Sequence, residues 1–169
     1  INDGNICVNT SNGDGLDSNG NLTVNGGRIV IHGPQSQPEV GFDVNGTFSI
    51  SGGIFIATGP NSGNMIEVPS LSSAQYSIKV TTSSGISSST LFNIQDASGK
   101  SIATFKPVRS LYYIVFSSPD LKSGSSYSIY TGGTSTGSNA NGLYTDGIYT
   151  GGTLRKSFNI TSKVTSISF

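Results

Sequence analysis

The run Gly15–Pro34, GLDSNGNLTVNGGRIVIHGP, returns 26 residues later as Gly41–Pro60, GFDVNGTFSISGGIFIATGP. Eight of the twenty positions are identical: Gly15/Gly41, Asp17/Asp43, Asn19/Asn45, Gly20/Gly46, Gly26/Gly52, Gly27/Gly53, Gly33/Gly59 and Pro34/Pro60. Most of the others keep their polarity, as at Leu22/Phe48 and Val24/Ile50. A period in the twenties built from short apolar runs and turn glycines is the signature of a stacked repeat. No 3.6-residue periodicity lasts three turns, so the repeat predicts strands: a strand, a Gly-Gly corner, a second strand and a longer loop. Alternation then sorts the faces. Leu22, Val24, Ile29 and Ile31 point inward, with Phe48, Ile50, Phe55 and Ala57 as their counterparts. "NICVN" matches "RIVIH", which adds Ile6 and Val8 to the same columns as part of an earlier unit. Columns of this kind fill the interior of a parallel β-helix.

The outward side of the second strand carries Cys7, Val30 and Ile56 one above the other, with Ile54 beside them. An apolar stripe of that size predicts a cover. From Gln75 onward the pattern changes to separate strands, YSIKV, TLFNIQ, SIATF, LYYIVF, SYSIYT and SFNIT, with Asp96–Lys100 as a hairpin turn. The expected fold is all-β: parallel β-helix rungs over residues 1–70, then antiparallel strands over 71–169 that cap the coil or flank it. A plain β-sandwich in which the repeat is coincidental is the alternative.

Charge excludes several classes. Only 11% of residues are charged, and nine basic residues balance nine acidic ones. A chain with no basic surface is not expected to bind nucleic acid. Nothing is apolar for long enough to insert as a membrane-spanning helix. Cys7 is the single cysteine, so no intrachain disulfide forms. The first residue is Ile1, not Met, which is read as a processed or fragmentary chain. Sequons at Asn9, Asn21, Asn45 and Asn159 matter only in a glycosylating host. The Ser, Thr, Asn and Gly surface suits an extracellular or cell-surface location.

The acidic turn SNGDGLDSNG offers Asn12, Asp14, Asp17 and Asn19 as oxygen donors, and the next unit offers Asp43 and Asn45 with Glu39 nearby. Stacking would set Asp17 and Asp43 about 4.8 Å apart, where a hard cation such as Ca²⁺ would relieve their repulsion. Against this, Asp and Asn are ordinary turn residues that bond their own backbone. Asn ladders also stabilise stacked turns, and the spacing is not that of an EF-hand.

GDGLDSNGNLTVNGG, DVNGTFSISGG, VFSSPDLKSGSSYSIYTGG and GGTLRKSFNITSKVT together resemble the C-terminal part of a bacterial family of secreted or surface-attached, carbohydrate-binding-domain-containing proteins. The likeness covers essentially the whole chain. It implies a right-handed parallel β-helix like that of pectate lyases, bound Ca²⁺, and binding to cellulose or acidic plant polysaccharides such as polygalacturonate. The family's acidic turn falls on Asp14 and Asp17. Its second acidic turn falls on Asp43-Val44-Asn45-Gly46, where an amide replaces the second carboxylate.

No enzyme is expected. The repeat holds only Arg28 and His32 as bases, both read as outward and exposed, and they align with Ile54 and Thr58 and so form no cationic column. One histidine and no G-x-S-x-G give a hydrolase triad little support. For sugar faces the aromatic candidates are Tyr144 and Tyr149, read as exposed in the Gly-rich NGLYTDGIYTGG, although both could simply pack as strand residues. The second functional class is structural: low charge and an unpaired β-edge would suit a homo-oligomer or filament.

Overall fold

The computed structural model describes all 169 residues, and they form an all-β protein. In chain order, the repeat region holds β1 (Asn5–Asn9), β2 (Leu16–Ser18), β3 (Leu22–Val24), β4 (Arg28–His32), β5 (Phe42–Val44), β6 (Phe48–Ile50) and β7 (Ile54–Gly59). A short 3₁₀ turn (Gly63–Met65) follows, then β8 (Ser77–Ile86), β9 (Phe92–Asp96), β10 (Ser101–Phe105), β11 (Leu111–Ser117) and β12 (Ser126–Ser135). The chain ends with β13 (Ser138–Ala140), β14 (Leu143–Thr145), β15 (Tyr149–Asn159) and β16 (Val164–Ser168).

The two copies of the repeat pair in parallel at three separate strands. Leu16 lies against Phe42, Leu22 against Phe48 and Arg28 against Ile54, each at the 26-residue offset. β1 adds the earlier partial unit, with Ile6 against Ile29 and Val8 against Ile31. The repeat is therefore a pairing rule and not a coincidence. Its glycines have a steric cause. A Cβ on Gly26 would strike the Asn2 carbonyl, and one on Gly52 the Asn25 carbonyl, because each corner rests on the backbone of the unit before it. The second glycine of each pair, Gly27 and Gly53, has φ of +86° and +80°, a region that side chains avoid.

Three layers result. The middle layer is a six-stranded mixed sheet in the order β1-β4-β7-β11-β8-β16. One of its faces meets the two-stranded sheets β2-β5 and β3-β6 over an inner core of Val24, Ile29, Ile31, Phe42, Phe48, Phe55, Tyr113 and Val115. Phe42, Phe48 and Phe55 come from three different strands of one repeat, and their rings meet at centroid separations of 5.0–5.4 Å. The other face meets a second six-stranded, antiparallel sheet, β13-β14-β10-β9-β12-β15. Val30, Ile56, Ile78, Ile114 and Phe116 pack there against Phe92, Ile94, Phe105 and Ile129. Burial on both faces explains why β4, β7 and β11 read as nearly continuous apolar runs instead of alternating.

The outward stripe is thus covered from Val30 to Ile56, both 1% exposed, with Ile54 half-buried beside them. Cys7 departs from the expectation: it is exposed. It sits on β1, the outermost strand of the middle sheet, where the covering sheet ends in the short β13–β14 hairpin. The Asp96–Lys100 turn does join an antiparallel pair, β9 and β10. Asp96 caps it by accepting from the Ser98 and Lys100 N–H groups.

Candidate functional site

In β2 and β5 the odd-numbered carboxylates face away from the inner core. Asp17 is paired directly with Asp43, while Phe42 and Val44 on either side are buried. A third acid, Glu67, continues this column. Ile66 is buried in the inner core and Val68 packs against it, so Ile66-Glu67-Val68 repeats the apolar–acidic–apolar order of Phe42-Asp43-Val44. The Val44 N–H donates to Glu67 Oε2 at 3.0 Å. Burial, and the negative charges of Asp43 and Asp14, push the Glu67 carboxyl up to about 7, against the opposing pull of the Val44 N–H. Asp43 is the nearest of these acids in the column, so an added charge on Glu67 would face one already there.

Asp14 joins the same neighbourhood. Its Oδ1 accepts from the Val40 N–H at 2.6 Å. The next N–H, of Gly41, donates to the buried Tyr113 hydroxyl oxygen. Burial pushes the Tyr113 phenol up to about 12, and Asp14 and Glu67 push the same way. Glu39 is half-buried and stands one residue before Val40 in the β4–β5 loop. Asn19 and Asn45 do something different. The Asn45 amide donates to Asn19 Oδ1 at 3.2 Å, and the Thr47 N–H donates to Asn21 Oδ1. They form the rungs of an amide ladder that holds one turn on the next. No three His, Cys, Asp or Glu side chains converge as a ready metal-holding group.

Glu67 was not among the residues expected from the sequence. Its signal is the I-E-V triplet, 24 residues after F-D-V, a third and degenerate copy in which Met65 and Ser70 stand where Gly41 and Gly46 flank F-D-V. Tyr113 carries no local signal, because only the antiparallel pairing of β11 with β7 brings it to Gly41.

Tyr144 and Tyr149 line one cleft of about 460 Å³, together with Lys100, Ile102, Asp146 and Ile148. The exposure expected of Tyr149 is not found. It is 9% exposed, its hydroxyl donates to the Gly132 carbonyl, and its ring leans on Tyr130. Its strand lies against β12, so its hydroxyl serves the hairpin. Tyr144 is half-buried, and Ile148 is the exposed apolar group at the rim.

His32 is a further correction. It points away from the inner core as expected, yet it is 1% exposed because the second sheet covers it. Its ring stacks on Phe105 with centroids 5.3 Å apart, and Nε2 lies 2.9 Å from the Asn141 carbonyl. Burial holds its pKa below the usual histidine range. Arg28 is half-buried. The cation beside His32 is Arg109, which donates to the His32 and Gly33 carbonyls and to Asn9 Oδ1. All its contacts are structural.

The arrangement defines an all-β protein that stacks Asp17 on Asp43, with Glu67 beside them, on the outer side of its repeat. Comparison with family models, curated proteins and solved structures finds no match to any of the three.

Proposed function

We propose that this chain is an extracellular or cell-surface, non-catalytic carbohydrate-binding protein, calcium-dependent, that takes acidic or cellulosic polysaccharide on the outer face of the Asp17–Asp43–Glu67 column. The observation that carries the reading is the in-register stacking of Asp17 on Asp43, with Glu67 held partly protonated beside them. Carboxylates about 4.8 Å apart repel one another, and a hard cation bound by oxygen ligands relieves that repulsion. Asp14, Asp17, Asp43 and Glu67 are the residues that would draw together on calcium, since no three of them converge as a ready site without it, and calcium would supply a bridge to uronate carboxylates. Asn19 and Asn45 are assigned to the ladder and not to the metal.

In this reading the repeat region is a short right-handed parallel β-helix, and the family resemblance of the sequence is the ground for both its handedness and its ligand class. Two features support a binder over an enzyme. The carboxylates stack in register along one outer column, Asp17 on Asp43, where paired glycosidase acids instead flank a scissile bond from two sides. His32 and the Arg109 guanidinium beside it are committed to backbone carbonyls. Tyr144 offers a ring for a sugar face in a separate cleft.

A glycan array that includes polygalacturonate and cellulose, run in calcium and in EDTA, tests the proposal. Calcium-dependent retention on acidic glycans is expected. Equal signals on every glycan, or none in either buffer, refute it, and release of unsaturated uronate overturns its non-catalytic part.

A further inference from the structure

The two large sheets end in four strands: β1 and β16 in the middle sheet, β13 and β15 in the covering sheet. Their directions follow from the pairings. β1, β4 and β7 run together, β11 runs against β7, β8 runs against β11, and β16 runs with β8. After two reversals β16 points the same way as β1. In the covering sheet all five pairings are antiparallel, so β13 and β15 point opposite ways. The edges also lie one above the other. Asn5 and Arg28 share a cleft with Ala140 and Thr145 on one side, and the Arg155 guanidinium sits 5.2 Å over the Phe169 ring on the other.

The free backbone groups can be read from the ladder. Gly4 O accepts from Arg28 N, and Thr10 N donates to His32 O. Even-numbered residues of β1 therefore face β4, which leaves the N–H and C=O of Asn5, Cys7 and Asn9 at the edge. On β16, Lys163 O accepts from Ser77 N and Phe169 N donates to Thr81 O, which leaves Val164, Ser166 and Ser168 at the opposite edge. Neither strand carries a Pro or a charged residue, the devices that usually blunt an edge.

We propose that a second copy of this chain adds head to tail, its β1 pairing in parallel with β16 of the first in the register Asn5↔Thr165, Cys7↔Ile167 and Asn9↔Phe169. In that register the free donors and acceptors of both edges interdigitate. The side-chain faces match as well. Cys7 extends the row Val30, Ile56, Phe116, Ile78 across the middle sheet, and Ile167 belongs to the same core. Thr165 Oγ1, buried without a partner, comes opposite the Asn5 amide. β15 then meets β13 of the next copy antiparallel, so both sheets continue through one interface. The contact uses two different surfaces of one chain, and such a contact propagates into a filament or closes into a ring. This inference is independent of the sugar-binding reading.

The test uses the whole chain. Sedimentation and negative-stain imaging of the wild type should show concentration-dependent assemblies larger than dimers. Ser166→Pro removes an edge N–H that the single chain does not use, so it should abolish assembly while leaving the melting temperature unchanged. Ile167→Cys with native Cys7 should give a disulfide ladder of covalent oligomers under mild oxidation, because directly paired residues lie within disulfide reach. A wild type that stays monomeric up to millimolar concentration overturns the proposal. So does assembly indifferent to Ser166→Pro, or an Ile167→Cys variant that, with Cys7 present, cross-links no further than dimers.

Discussion

Glu67 is the residue whose chemistry departs furthest from its ordinary state. Its carboxyl is held near 7 in the fold against about 4.5 when free, so the folded protein binds the Glu67 proton more tightly than the unfolded chain does. That contribution to stability is complete below about pH 4.5 and is lost as pH rises through about 7. Melting temperatures across that window should fall for the wild type and fall less for Glu67→Gln, which keeps the hydrogen bond neutral; parallel curves would contradict the assignment. Val30 and Cys7 make a contrasting pair on one row of one sheet. Val30→Asp places a charge between the two sheets and should cost several kcal/mol, about what an unpaired buried polar group costs, read by denaturant unfolding. Cys7 at the open edge should label readily with a thiol reagent in dilute protein, somewhat below the rate of the unfolded chain because partial burial raises its thiol pKa. Slow native labelling there would mean that the edge is already covered. These two residues have the same apolar character and the same place in the repeat. Alternation alone could not separate them, because the difference lies in where the second sheet stops.

At the scale of elements, close approach of one repeat to the next accounts for the conserved spacing of glycines within the chain. A Cβ on Gly33 would meet the Thr58 carbonyl oxygen and the Gly41 backbone, whereas one on Gly20 meets nothing within 4 Å. Gly33→Ala should therefore destabilise the fold by about 1–3 kcal/mol, the usual cost of overpacking. Gly20→Ala should stay within about 0.5 kcal/mol, as for an open surface site. Equal unfolding midpoints for the two would remove the close-packing account. β3, β4, β6 and β7 were legible because the repeat states each strand twice and its glycines mark the corners, whereas β2 and β5 read as an acidic turn and proved to be a third parallel pair. The Asp96–Lys100 hairpin was legible because its turn chemistry is local. The burial of His32 and Tyr149 was not: alternation sets His32 outward and Tyr149 stands in a Gly-rich segment, and the atoms that enclose them come from Phe105 and Asn141 in one case and from Gly132 in the other.

At the scale of the molecule, the repeat region and the later strands share one sheet and two cores. β7 pairs with β11 across the intervening residues 60–110, and β8 and β16 complete the same layer. Nothing in LYYIVF names its partner; it announces only a strand buried on both faces. The candidate site divides in the same way. Asp14, Asp17 and Asp43 could be found from a repeated turn, while Glu67 and Tyr113 depend on stacking and on a long-range antiparallel contact. The column that results stacks like charges in a chain whose nine acidic and nine basic residues balance, and the functional account rests on it. The direct measurement is retention on immobilised polygalacturonate at millimolar calcium, comparing the wild type with Asp43→Asn and with an Asn45→Ala variant. Asp43 is the middle carboxylate of the column, and Asn45 belongs only to the ladder beside it. The account predicts calcium-dependent retention of the wild type, its loss in Asp43→Asn and its persistence in Asn45→Ala; retention of Asp43→Asn equal to the wild type, or none for either protein, would contradict it.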